Sequence, residues 1–496
     1  MGTSGGKAAI IDERGKVLAL GKEGWSAKEA PGLEDYGREF DSNEVESKLL
    51  SCASRVLREA KIEPSDVSGI TATSLRFGYV FLNGEDRVVY FGSNMDGRGF
   101  FEQDVIDEKL CELYEITGLY PPMLFGLSKL LWFKDNAPGR FESISKFMNL
   151  NDWWIYRLSG SFSTDHSSAS TTGLYDIRTS KWSDVVLSTF GLDQKLLPEV
   201  SNPGTRVGSL NDEFRRSLGL GNADVIVSGP DTQCGLAGAG CLSNHELGVV
   251  AGATGVCQMI STSSSVPRDR RMFLGNYLTT GKYAAECNAG QCGLSYDWAV
   301  KTYVGAGGPA YPTAEEMVSK IGPAPTGIMS FIGSRLMDPE KLHLMRPSVT
   351  LFSSPVIPPF SRVDPGALLK AVLEEACFSI SCNMDILEEL VEERPSTLGV
   401  TGGLTRSISF CRTLCDVTGK RVRVSSEADG TIIGAALGAM VGSGTYGNYE
   451  AAVREAVHTR GVIEPNESAS KDYVESKRRW KELYLEITEL TEEGKF

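Results

Sequence analysis

Short apolar runs that stop at glycine turns recur along this chain, separated by stretches whose apolar residues return with a helical period. Val225-Ile226-Val227 leads into Ser228-Gly229-Pro230-Asp231-Thr232-Gln233-Cys234-Gly235-Leu236-Ala237-Gly238. Leu247 to Val250 leads into Ala251-Gly252-Ala253-Thr254-Gly255. Each run predicts a strand ending in a tight turn. In the first half the pattern predicts a hairpin over 8–22, turning at Asp12-Glu13-Arg14-Gly15. A helix follows, opened by an Asp41/Glu44 capping box and carrying Leu49, Ala53 and Val56 on one face. Then come a strand, Gly69 to Thr73, and a hairpin around Asn83-Gly84. Residues 124–134 and 150–158 read as packed helices, and Ser167 to Thr172 as a hydroxyl-rich loop.

The second half has the same style. A hairpin is predicted over roughly 248–283, turning near Ser261 to Arg271. A long helix runs from Pro365 to Glu393, then a strand, Thr397 to Val400, enters the turn Thr401-Gly402-Gly403-Leu404-Thr405-Arg406. A helix through Leu414, a strand from Val422 to Ser425 and a small-residue helix, Gly434 to Ala439, complete the series. The tail, 471–490, is charged but lines up Tyr473, Trp480, Tyr484 and Ile487, which predicts a docked surface helix.

The glycine turn at 251–255 has an echo at the start. Set over Ala251 to Ile260, the segment Met1 to Ile10 brings Gly2, Gly5 and Ile10 onto Gly252, Gly255 and Ile260. The copies lie half a chain apart, as a duplicated domain would place them. They differ in one respect: Glu246 to Val250 supplies an incoming strand to the second turn, and nothing precedes the first. A first domain built like the second would therefore lack its first strand. Burying four or five apolar residues contributes roughly 1.5–3 kcal/mol each, against a net domain stability of about 5–15 kcal/mol. The expectation is a start truncated relative to the natural protein, or a crippled chain.

Length and composition add bounds. A chain of 496 residues is too long for one core and predicts two domains, divided at 1–242 and 243–496. A hydrophobic fraction of 41% supports full folding. No apolar stretch reaches a membrane span, no signal-peptide pattern opens the chain, and a net charge of −14 argues against a general nucleic-acid binder. Eleven cysteines sit in apolar context without a CxxC pair, which reads as reduced core cysteines in a cytoplasmic protein.

The chemistry lies in the two glycine turns. Asp231, at a strand end, can take a proton from a substrate hydroxyl, and the bare amides of Gly252 to Gly255 can hold a phosphate. A base beside a phosphate cradle points to phosphoryl transfer. Five motifs, Gly2-Thr3-Ser4, Asn94-Met95-Asp96-Gly97-Arg98, Gly229-Pro230-Asp231-Thr232-Gln233, Gly252-Ala253-Thr254-Gly255 and Gly402-Gly403, stand in the order found in the FGGY carbohydrate kinases. The chain resembles that family from residue 1 to about 485. Thr73-Ser74-Leu75-Arg76-Phe77-Gly78 is similar to the Thr-Ser-Met-Arg-Glu-Gly segment of the autoinducer-2 kinase branch, with xylulose kinases nearby.

The resemblance implies an α/β fold of two ribonuclease-H-like domains, of the actin/hexokinase ATPase type, around a central cleft. It implies ATP and Mg2+, and a small sugar, ketose or polyol as acceptor. Asp231 would be the general base, with Arg76, Asp96 and Gln233 as further substrate ligands. Thr3, Ser4, Lys7, Gly252, Ala253, Thr254, Gly255, Gly402, Gly403 and Arg406 would hold ATP. The family's magnesium Asp falls one residue before Met1, which leaves the metal ligand unknown, with Asp231 as a candidate. Phe77 stands where the autoinducer branch has Glu, and Asp429 where many relatives have Glu. A cytoplasmic protein, as a dimer, completes the expectation. Two alternatives are a pseudokinase that senses sugar and an actin-like ATPase without phosphotransfer to sugar.

Overall fold

The computed structural model describes residues 1–305, 309–342, 344–353 and 363–495. In the first half, β1 (Gly5–Ile11) and β2 (Val17–Gly24) form an antiparallel hairpin, followed by α1 (Ser42–Ala60) and β3 (Gly69–Thr71). Asp41 caps α1 by accepting from the Asn43 and Glu44 amides. Glu44 does not complete the box, because its carboxylate bonds Lys48. Beyond an inserted three-stranded sheet (Tyr79–Asn83, Val88–Phe91, Ile144–Asn149), β4 (Arg206–Ser209) and β5 (Asp224–Ile226) return to β3. The sheet order is β4-β5-β3, with β5 parallel to β3. The helix α2 (Asp231–Gly238) then leads into the second half.

That half is built on one sheet. Its strands are β6 (Leu247–Ala251), β7 (Gly255–Ser261), β8 (Phe273–Asn276), β9 (Tyr283–Asn288), β10 (Thr397–Thr401), β11 (Arg421–Ser425) and β12 (Thr459–Ile463), in the order β8-β9-β7-β6-β10-β11-β12. α3 (Pro365–Leu387) and α4 (Ile408–Thr418) pack on it, α5 (Gly430–Gly442) packs against α2 and the first half's β3 and β5, and α6 (Glu467–Glu492) packs on α3 and α4. The hairpin read over 248–283 is thus four strands, whose first reversal falls at Gly252–Thr254. The long helix ends at Leu387 and passes into a 3₁₀ turn, Glu388–Leu390. Glu388, the first residue of that turn, is buried and pairs with Lys420 at 2.6 Å. Ser167 and Ser168 lie in a short helix capped by Asp165 rather than in a loop.

The tail helix α6 docks as its pattern predicts. Trp480 is fully buried, stacks on Phe331 at 5.6 Å and donates its indole N–H to the Ser330 carbonyl. Each such ring contributes roughly 1.5–3 kcal/mol by leaving water. No described helix is long and apolar enough to cross a membrane.

Candidate active site

The two halves meet where glycine permits close approach. A Cβ at Gly238 would overlap the Gly430 backbone, and one at Gly434 would overlap that of Cys234, so α2 and α5 pack with no side chain between them. Pro230 caps α2, and Asp231 is its first residue. Its amide donates to the Ser74 carbonyl at 2.9 Å, and its carbonyl accepts from Thr431 Oγ1 at 3.1 Å. The Asp231 carboxylate is therefore carried on a backbone fixed from both halves.

A cavity of about 1200 Å³ opens over it. From the first half Thr3, Ser4, Lys7 and Arg76 reach its wall, and Asp231 and Thr232 form part of its floor. Gly252, Ala253, Thr254, Gly402, Gly403 and Arg406 face it from the second half. Gly402, at φ +107°, lies so near the Ala251 backbone that any side chain would collide with it. The turns after β6 and β10 are thereby brought side by side, as a phosphate cradle requires. Across the cleft Lys7 pairs with Asp429 at 2.5 Å, and Arg406 stands 3.9 Å from the same carboxylate. Gly255, first in β7, is buried behind the cradle.

Withdrawal from water pushes the Asp231 carboxyl up to about 6, while the nearby Arg76 guanidinium holds it down. A group of that affinity is ionised at neutral pH and still basic enough to take a proton. Arg76 itself is not free in this state. Its guanidinium bonds the buried Glu286 at 2.5 Å, and Glu286 also accepts from Gln258 Nε2 at 2.9 Å. The opposite amide oxygen of Gln258 is buried without a partner. Phe77 takes a left-handed backbone, φ +64°, unusual for an aromatic residue. Its ring packs edge-on against Phe125 and Phe273, at 5.3 and 6.3 Å.

Two residues expected to bind substrate, Asp96 and Gln233, do not line the cavity. Asp96 does not line the cavity; its carboxylate accepts from Arg98, which is fully buried, and from the Arg38 amide at 2.8 Å. That pair holds the loop that presents Asn94, which bonds Thr3 Oγ1 at 3.0 Å and does line the cavity. Gln233 is buried within α2, where its side-chain oxygen accepts from Thr232 at 2.6 Å. The sequence reading passed over Glu286 and Gln258. Their signal was a polar residue inside an otherwise apolar strand, as in Ala284-Ala285-Glu286-Cys287.

Comparison with known proteins decides the family. The model of the N-terminal domain of the FGGY family of carbohydrate kinases matches residues 1–238, and that of the C-terminal domain matches 248–443. The chain belongs to the FGGY family of carbohydrate kinases. It is 25% identical over 508 residues to the autoinducer-2 kinase of Escherichia coli strain K12, covering 99% of this chain and 94% of that one. The putative sugar kinase YoaC of Bacillus subtilis strain 168 is 29% identical over 441 residues, covering 88% of each. A crystal structure described as a xyloylose kinase from Brucella ovis superposes with a TM-score of 0.84 at 21% identity, covering 99% of this chain and 98% of that one. As a member of this family the chain is a carbohydrate kinase, with the two-domain mixed α/β fold that the family shares, and ATP use comes with the family.

Proposed function

We propose that this FGGY kinase transfers the γ-phosphoryl group of ATP to a hydroxyl of a small sugar, ketose or polyol, with Asp231 as general base. The observation that carries the reading is Asp231 itself: a carboxylate raised to about 6, on the floor of a cavity that the glycine turn at 252–254 also lines. In the step, Asp231 accepts the proton of the acceptor hydroxyl as its oxygen forms a bond to the γ-phosphorus. The bond from that phosphorus to the ADP oxygen breaks, and the electron pair leaves with ADP. Ala253, Thr254 and Gly403 supply backbone N–H groups to the phosphates, Gly252 and Gly402 shape the turns through amides already bonded to the Thr254 and Ala428 carbonyls, and Thr3, Ser4, Lys7 and Arg406 add side-chain donors. Arg76 orients the acceptor, exchanging Glu286 for substrate oxygens, with Glu286 and Gln258 close by. Asp96 keeps a positioning role through Asn94, and Gln233 one through Thr232.

Among the described residues no group of three or more His, Cys, Asp or Glu could hold a metal ion. Asp231 and Asp429 both line the cavity, and one or two carboxylates together with phosphate oxygens suit Mg2+. The donors thus fit an ion arriving with the nucleotide, where it would neutralise phosphate charge. We further propose the domain division 1–242 and 243–496, and a cytoplasmic setting, which suits eleven unpaired cysteines.

Asp231→Asn tests the reading. The variant is expected to bind ATP and acceptor by calorimetry while kcat falls at least about a hundredfold; near-normal turnover refutes the role. A phosphotransfer screen over three- to six-carbon polyols, ketoses and dihydroxy-pentanedione selects the acceptor.

A further inference from the structure

Arg76 stands between two apolar residues, and all three, Leu75, Arg76 and Phe77, line the cavity. The segment that carries them is firmly held. Its Ser74 carbonyl accepts from the Asp231 amide at 2.9 Å, and the Ser74 hydroxyl donates to Asn151 Oδ1 at 2.9 Å. Beyond Phe77, a Cβ at Gly78 would crowd the Leu75 and Leu150 side chains. Phe77 itself takes a left-handed backbone, φ +64°, which aromatic residues seldom adopt. Such a conformation persists only where the surroundings over-determine it. Two buried rings surround this one: Phe125 from the first half and Phe273 from β8 of the second, their centroids 6.0 Å apart and each edge-on to Phe77. The Arg76 guanidinium lies over the Phe77 ring, 5.1 Å from its centroid.

Phe77 is only half-buried, so the strained backbone holds hydrocarbon at the cavity wall beside the Arg76 donors. An acceptor oxygen engaged by Arg76 therefore has an apolar neighbour. A hydroxyl on the next carbon would leave water and meet no hydrogen-bond partner on the ring, whereas a methyl or methylene group loses nothing there. We propose that Phe77 determines acceptor specificity, and that the acceptor is a ketose or polyol with a methyl or deoxy carbon next to the oxygen that Arg76 holds. The inference rests on the reading of Arg76 as an acceptor ligand. An apolar wall rejects an added hydroxyl by about a hundredfold at most, so the expected preference for a deoxy acceptor is about tenfold to a hundredfold. Because Phe273 comes from the second half, the aromatic wall is complete only when the two halves are together.

Matched acceptors test this on the full chain: propylene glycol with glycerol, 1-deoxyxylulose with xylulose, and 1-deoxyfructose with fructose. For each pair kcat/KM is measured in phosphotransfer, and Kd by calorimetry beside a non-hydrolysable ATP analogue. A preference of at least about tenfold for the deoxy member of a pair supports the inference. Phe77→Asn is the sharper probe, because Asn tolerates a left-handed backbone and brings an amide to the wall. It is expected to move the ratio toward the hydroxylated member by at least about tenfold, while Phe77→Leu keeps the wild-type order. A lowered Tm with an unchanged ratio in Phe77→Asn would give Phe77 a packing role alone and overturn the inference. So would a wild-type chain that treats the members of every pair alike, favours the hydroxylated ones or binds none of them. Since Kd reads the preference without turnover, binding without phosphotransfer counts against the proposed reaction and is told apart from a failure of this inference.

Discussion

The sheet of the first half and the sheet of the second are built from matching strands and packed to different degrees. β7 is buried along nearly its whole length, and Leu398 of β10 and Val249 of β6 are fully buried. In the first half β1 and β3 are mostly half-buried, and no described strand joins them. Each sheet nevertheless delivers a glycine turn to the same cleft. Both turns reach that cleft beside the α2–α5 seam, where glycine lets the two backbones meet directly.

The sharpest way to break this comparison is a matched pair of truncations. Leu398→Ala is expected to cost about 2–5 kcal/mol in urea unfolding, as for a close-packed core. Ile70→Ala, at the corresponding place beside the cavity, is expected to cost less than about 1.5 kcal/mol, because its surroundings already contain empty space. Equal losses would mean that the two sheets are equally packed.

A second test addresses the cleft. The carboxylate is the competent form of Asp231, so kcat/KM should fall about tenfold per pH unit below about 6. Arg76 favours the ionised form, so Arg76→Met should move that acidic limb to higher pH in a pH–rate profile. An unmoved limb would separate the base from the first half's arginine. The smallest effect is expected at the bridge across the cleft. Lys7→Met removes a partly exposed ion pair and should change stability by less than about 1 kcal/mol in thermal unfolding, while raising KM for ATP.

The sequence made the strand–turn units legible because apolar runs and glycines are local signals. Asp231, the 251–255 turn and the Gly402-Gly403 turn were all found that way, as was the buried face of α6. Asp96 was harder. Its motif gave a carboxylate near the site, but whether that group faces substrate or Arg98 depends on a guanidinium held against Tyr90 and Trp132. Glu286 and Gln258 were missed because their meaning comes from Arg76, which lies in the other half of the chain.

By itself, then, the sequence determined the α/β succession, the internal repeat and the residue types that can move a phosphoryl group, since these follow from periodicity and backbone permissiveness over a few positions. Only the tertiary structure decided which charges are already paired and how far Asp231 titrates from its usual range. Those outcomes depend on burial and on partners supplied by distant segments, and no local pattern encodes them.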